Sequence, residues 1–228
     1  MEALGFSQIW EELYQQGWGG AWPREEVIRW AVRCCPDRSE RQNRSVLDVG
    51  CGNGRHLWML AVEGFRVTGF DASRSAVRMC RQLVAKEELA ARAEVIEGGL
   101  EVLDRLPGGF DMVLDSTTLC SVRSTERRQA LRKIAGLMAS DGSYLSVAFG
   151  KSTTGFGTGK RVEEDGFDEI PAGALANRGF AVFHDKATLA TELGGCGLQV
   201  RSLDTTVFTT HNGSVVVELL MAECGKGK

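Results

Sequence analysis

A chain of 228 residues, 43% hydrophobic and 25% charged, is long enough for one α/β domain with a sizeable core, and its make-up excludes disorder and collagen-like repeats. A formal charge of −3 offers no general attraction to nucleic-acid backbones, and no apolar stretch approaches the roughly 20 residues that cross a bilayer. Seven cysteines without a C-x-x-C pair and three scattered histidines exclude a zinc cluster, leaving the expectation of a cytoplasmic protein with reduced, packed thiols.

Leu4, Ile9, Trp10 and Leu13 recur at helical intervals over residues 3–16, and Gly17, Gly19 and Gly20 end that segment. Trp22-Pro23 opens a second helix, since proline is tolerated where the first-turn N–H lacks a partner anyway. Val27, Ile28, Trp30 and Ala31 carry the pattern to Cys34, and Pro36 stops it. Arginines 24, 29, 33, 38, 41 and 44 alternate with Glu25, Glu26, Asp37 and Glu40, which reads as a solvated face. Residues 1–44 are therefore expected to form a helical cover, and residues 45–228 the main domain.

From Val46 onward, strands alternate with helices, the pattern of a parallel sheet wound on both sides. Strands are predicted at 46–50, 66–70, 93–97, 110–115 and 144–149, the last following a turn at Asp141-Gly142. Helices are predicted from Arg55, from Ser73 as N-cap to about residue 89, and over 124–139. Beyond Phe149 the glycine-rich run to Lys160 and the acidic stretch 162–168 predict a mobile loop with glycine hinges, so that 150–185 forms a variable substrate segment. A short helix at 186–193 follows. Strands 198–208 and 214–222 are joined across Asn212-Gly213 as a hairpin, which makes one strand antiparallel, and the tail from Cys224 is expected to fray.

The most telling residues are Val46-Leu-Asp-Val-Gly-Cys-Gly-Asn-Gly54, which join a buried strand, a glycine turn and a helix start. Gly50, Gly52 and Gly54 permit a sharp bend and close approach of a ligand. Asp71 follows the glycines by about 20 residues, where one strand-helix-strand unit places a carboxylate able to accept both ribose hydroxyls of an adenosine ligand; it is equally placed to cap the helix at Ser73. Asp48 beside the loop suits a cationic cofactor better than a pyrophosphate. Arg55 either meets a cofactor carboxylate or is a surface arginine at a helix start.

Val46 to Ala61 followed by Arg66-Val-Thr-Gly-Phe-Asp71 resembles motif I and the second-strand acid of class I, Rossmann-like S-adenosylmethionine-dependent methyltransferases, of a small-molecule, tellurite-resistance-like type. The resemblance covers residues 45–149. It implies an α/β fold with a doubly wound, seven-stranded, mostly parallel sheet and a terminal antiparallel strand. It also implies S-adenosyl-L-methionine as cofactor and S-adenosyl-L-homocysteine as product, held by Asp48, Gly50, Cys51, Gly52, Gly54, Arg55, Asp71 and Ala72. Where the family carries an aspartate after the third strand this chain has Gly99, so adenine contact is expected from the backbone of Gly99 and Leu100, with Glu97 beside them.

Asp115 and Ser116 occupy the motif IV position, facing the methionine end, without the two prolines of adenine and glutamine N-methylating enzymes. Cys120 follows Leu119 and not a proline, unlike the nucleophile of cytosine-5 enzymes, and reads as pocket wall. The resemblance carries Tyr14 and Trp22 over as cofactor- or substrate-facing residues, with core packing as the other reading. His184 and His211 are the candidate general bases, and His56 is scaffold. The function expected is methyl transfer to a small organic acceptor, oxygen slightly ahead of nitrogen, with nucleic acid and membrane disfavoured as partners. A non-catalytic adenosyl-binding scaffold and an NAD-dependent oxidoreductase are the alternatives.

Overall fold

The computed structural model describes residues 8–227, so the part of the first predicted helix at residues 3–7 lies outside the described residues. Helices α1 (Gln8–Gln15) and α2 (Glu25–Cys34) precede strand β1 (Ser45–Val49). Then come α3 (Arg55–Val62), β2 (Arg66–Asp71), α4 (Arg74–Lys86), β3 (Ala93–Glu97), β4 (Phe110–Ser116), α5 (Ser124–Leu137) and β5 (Met138–Phe149). Short strands β6 (Lys160–Glu163), β7 (Gly166–Asp168) and β8 (Ala181–Val182) lead to α6 (Lys186–Gly194) and the hairpin β9 (Leu198–Thr210) and β10 (Val215–Lys226).

The main sheet has seven strands in the order β3-β2-β1-β4-β5-β10-β9. β1 to β5 pair in parallel, and β10 runs antiparallel between β5 and β9. Successive side chains point to opposite faces of a strand, and the core divides accordingly. Val46, Leu114 and Val147 pack with Trp30 of α2 and Leu57 and Leu60 of α3. Leu47, Val49 and Val113 pack with Leu131 and Ile134 of α5 and Leu189 and Leu193 of α6. Burying each such side chain contributes about 1.5–3 kcal/mol, which explains why these strands read as nearly continuous apolar runs. Val49 lies beside Phe70 on one side and Asp115 on the other, so the loops leaving β1, β2 and β4 emerge together at one edge. Strand order reverses at β1, the place where open α/β sheets form a ligand crevice.

Three segments differ from the sequence expectation. β5 begins at Met138 and not at Tyr144, because the stretch expected to turn at Asp141-Gly142 stays extended and is absorbed by a register shift opposite Phe110 and Met112. The tail does not fray within the described residues. Cys224, Gly225 and Lys226 pair with β9, Lys226 Nζ donates to the Met138 carbonyl at 3.1 Å, and the Gly227 N–H donates to Gly197 at 2.8 Å. The stretch after Phe149 is built on a core of its own, with Phe156, Phe167 and Phe183 meeting edge to face at 5.5–6.2 Å and Ile170 fully buried. Thr153 and Thr154 stitch it to β10 through bonds with Val216 and Glu218, so it carries a three-stranded sheet where an irregular hinged loop was expected.

Candidate active site

Gly50, Gly52 and Gly54 have φ of 66°, 54° and 83°, the left-handed region in which glycine carries no Cβ penalty. A Cβ at these positions would meet Thr118, the Tyr14 hydroxyl and the Cys80 thiol, respectively. The glycines therefore make room first for the protein's own side chains, a packing role that their spacing alone does not disclose. Cys51 is buried with its thiol against Cys80, and that contact together with burial pushes its pKa well up.

A cleft opens at the edge where the three strands end. Its floor is Gly50, Phe70, Asp71 and Ala72; one wall is Gly98, Gly99 and Leu100, and the other runs from Ser116 to Thr118 and on to Ser121 and Val122. Trp10, Tyr14 and Trp18 form its roof. It encloses about 720 Å³ including the mouth open to solvent, the size of a pocket for a small organic ligand.

Asp71 is the carboxylate that lines it among the described residues. One carboxylate oxygen accepts from the Gly52 N–H at 2.9 Å and the other from the Ser73 N–H at 2.8 Å, while burial raises its pKa. Asp71 thus ties the glycine loop to the start of α4 and lines the cleft. Ser73 caps α4, accepting from the Ala76 N–H at 3.1 Å.

Asp48 is 1% exposed, and one of its oxygens has no hydrogen-bond partner. Burial, then the charges of Asp71 and Asp115, push its pKa up to about 7. Asp115 is also buried and raised to about 6, chiefly by burial. Its carboxylate accepts from the Thr118 and Leu119 N–H groups at 2.9 and 3.1 Å, so it holds the wall in place instead of facing the cleft. Ser116 does face it, with its buried hydroxyl lacking a partner. Thr117 adopts φ of 65°, an outlier for a β-branched residue, and such strain gathers at ligand sites.

Several expected residues stand elsewhere. Trp22 is 77% exposed, with its ring 6.3 Å from that of Trp58, and it does not line the cleft, because the chain turns outward at Gly19 and Gly20. Arg55 stands at the start of α3 and does not line the cleft: its Nε donates to the Gly20 carbonyl at 3.2 Å, as Asn53 does at 3.0 Å, pinning the leader to the glycine loop. Glu97 pairs with Arg74 at 3.4 Å and leaves the third-strand wall to Gly99 and Leu100.

His184 is buried 3.8 Å from Glu192 on the α6 side, with its pKa lowered to about 4 by burial. His211 is exposed at the tip of the β9–β10 hairpin, and neither histidine lines the cleft. His56, half-buried and lowered to about 4 by desolvation, accepts from the Arg24 N–H at 3.2 Å and does not line the cleft. Cys120 is buried with its thiol donating to the Thr117 carbonyl at 3.1 Å, and burial raises its pKa, which opposes a thiolate nucleophile.

Sequence reasoning missed three groups. Trp10 and Trp18 join Tyr14 in an edge-to-face cluster at 5.3 and 5.4 Å, signalled only by the density of aromatics in the leader. Glu11 accepts from the Ser73 and Ser75 hydroxyls at 2.6 and 2.7 Å and from the Ser75 N–H at 3.1 Å. Burial works against its charge, yet these bonds bring its pKa down to about 2, and the start of α4 favours an anion there. No local signal marks its contact with α4, because Ser73 and Ser75 lie more than 60 residues away.

The buried, unpartnered oxygen of Asp48 and hydroxyl of Ser116, with the buried carboxylates of Asp48 and Asp115 and the half-buried one of Asp71 forming no ion pair among the described residues, fit a cofactor bearing positive charge and a sugar diol. The fold and this cleft define the class: a Rossmann-like, cofactor-binding α/β protein of the methyltransferase architecture. Residues 46–142, less than half of the chain, match the family described as Methyltransferase domain, and the fold is the class I fold of S-adenosylmethionine-dependent methyltransferases.

Among relatives, a tRNA U34 carboxymethyltransferase of Vibrio campbellii is 36% identical over 111 residues, which cover 47% of this chain and 31% of that protein. EEF1A lysine methyltransferase 2 of Homo sapiens is 27% identical over 159 residues, covering 63% of this chain and 67% of that one. The chain thus spans less than a third of the tRNA enzyme and about two thirds of the lysine enzyme. Among solved structures, the Burkholderia thailandensis 1,6-didemethyltoxoflavin-N1-methyltransferase, with bound 1,6-didemethyltoxoflavin and S-adenosylhomocysteine, has a TM-score of 0.63 at 16% identity. That likeness covers 97% of this chain and 88% of that one. These likenesses do not distinguish the tellurite-resistance subtype.

Proposed function

We propose that this protein transfers the methyl group of S-adenosylmethionine to a small organic acceptor, with oxygen favoured over nitrogen as the receiving atom. The observation that carries the reading is the cleft beneath Trp10, Tyr14 and Trp18, floored by Asp71 and flanked by the unpartnered hydroxyl of Ser116. When bound, the cofactor supplies a sulfonium methyl already activated for displacement. In this reading Asp71 accepts the ribose hydroxyls, the backbone at Gly99 and Leu100 borders the adenine, and Ser116 faces the methionine end.

The chain's own contribution is alignment and exclusion of water by the aromatic roof. Because no histidine lines the cleft, an acceptor oxygen that is ionised at working pH suits it best, as it needs no general base. Tyr14 stays protonated, since burial and then the charge of Asp71 raise its pKa, and its hydroxyl serves as a donor. The relatives named for tRNA and for protein lysine mark the main competing acceptors.

Thermal stabilisation with S-adenosylmethionine, S-adenosylhomocysteine and NAD tests the cofactor, a ligand at about one hundred times its dissociation constant adding about 2.7 kcal/mol. Stabilisation by NAD alone refutes the reading. Asp71→Ala is expected to abolish the adenosyl response in a folded protein, and undiminished binding would remove Asp71 from the site. Release of S-adenosylhomocysteine across carboxylic acids, phenols and amines separates an enzyme from a silent adenosyl-binding scaffold.

A further inference from the structure

Half-buried arginines in this fold are generally engaged: Arg44 with Asp111 at 2.9 Å, Arg123 with Asp168 at 2.6 Å, Arg55 with the Gly20 carbonyl. Two are not. Among the described residues, Arg24 and Arg178 are half-buried and make neither a side-chain hydrogen bond nor an ion pair. A guanidinium withdrawn from water without a bonded anion is unfavourable, so each of these residues points to a ligand.

Their positions are those of a binding rim. Arg178, in the connection between β7 and β8, lies over the ring of Trp18 with its guanidinium carbon 5.1 Å from the centroid, and Trp18 lines the cleft. Stacking of this kind holds the guanidinium plane while leaving its N–H fork free to bond an anion. Arg24, at the start of α2, has its backbone N–H anchored on His56. That bond seats Arg24 on the first turn of α3, directly after the glycine loop, with the charge of Glu26 acting on its guanidinium. The cleft is therefore acidic at Asp71, with Asp48 buried on β1 ahead of the glycine loop, and cationic where the leader and the segment after β5 approach it. One polarity suits a sulfonium cofactor, and the other suits an anionic co-substrate.

We propose that Arg178, stacked on Trp18, and Arg24, beside His56, bind the negative group of the methyl acceptor, which makes that acceptor a small organic carboxylate. The inference rests on the methyltransferase reading of the cleft. A planar carboxylate matches the arginine fork in two parallel bonds, and the rings of Trp10 and Trp18 receive an organic body beside it.

The test needs no knowledge of the natural acceptor. Protein saturated with S-adenosylhomocysteine is titrated with benzoate and with its uncharged counterpart benzamide, while iodide and acrylamide quenching of Trp18 is read as the difference from a Trp18→Phe variant. Benzoate is expected to protect Trp18 from quenching saturably, and benzamide to be weaker. Arg178→Gln and Arg24→Gln should each weaken benzoate by about tenfold, the loss of one charge-assisted contact, while leaving stabilisation by S-adenosylhomocysteine intact. Since neither side chain makes a hydrogen bond or ion pair among the described residues, both variants should remain folded. Equal protection by benzoate and benzamide, no protection by benzoate, or unchanged benzoate affinity in both variants would overturn the proposal. Inorganic phosphate protecting as well as benzoate would overturn the choice of a carboxylate, and an oligoribonucleotide displacing benzoate would overturn that of a small acceptor. Failure of S-adenosylhomocysteine to stabilise the wild type would instead sink the methyltransferase reading beneath it.

Discussion

Asp48→Asn turns the most isolated charge of the site into a measurement. The carboxyl is buried, one oxygen is unpartnered, and its pKa stands at about 7 against an ordinary 3.8. A raised folded-state pKa means that the native protein holds this proton where the unfolded chain has already released it. The associated stability is fully present below about pH 4 and is lost as pH rises through about 7. A separation of about 3 pKa units at 1.36 kcal/mol per unit amounts to about 4 kcal/mol. Asparagine cannot ionise and has no such slope.

Urea midpoints of the ligand-free proteins, measured from pH 4 to 8, give the difference in stability directly. The wild type should lose about 4 kcal/mol relative to Asp48→Asn across that window, the variant becoming the more stable protein towards pH 8. Taking the difference cancels the titration of groups that do not interact with Asp48. A cation bound in the cleft should lower the Asp48 pKa, so S-adenosylmethionine should bind the wild type more tightly as pH rises through 7, and the variant without that dependence. A flat difference between pH 4 and 8 would show that Asp48 is ionised throughout, and the electrostatic account of the site would fail.

Gly54→Ala places a Cβ against the Cys80 thiol at φ of 83°, with the Cys80 backbone 3.2 Å behind it, so a loss of about 2–4 kcal/mol is expected in the urea midpoint. Glu11→Gln should loosen the aromatic roof by removing the charged acceptor shared by Ser73 and Ser75, seen as faster proteolysis within residues 16–22. In the wild type the same roof contact is present above the ordinary Glu pKa of 4.5 and is lost as pH falls through about 2, the sign of a depressed carboxylate. His211→Gln should leave S-adenosylhomocysteine release unchanged across the acceptor panel, because the imidazole stands at an exposed hairpin tip; a pH-dependent loss of turnover would restore it as a base.

Much of this protein is local and therefore readable along the chain. Buried strands of apolar residues, glycines where φ must be positive, Ser73 as a helix cap and an Asn-Gly turn each express a preference set within a few residues. These predicted the alternating sheet, the antiparallel final strand, and the placing of Asp71 and Ser116 beside the glycine loop. Contacts between segments distant in sequence have no such signature. Glu11 meets Ser73, Arg55 turns to Gly20, Arg178 covers Trp18, and His184 is carried to Glu192 of α6. Periodicity specifies which face of an element is buried, whereas the partner on that face is decided by how the elements pack. For the same reason the strand-turn-helix that cradles a cofactor is legible in nine consecutive residues, while the roof and cationic rim that would choose the acceptor exist only once the leader and the segment after β5 have folded against it.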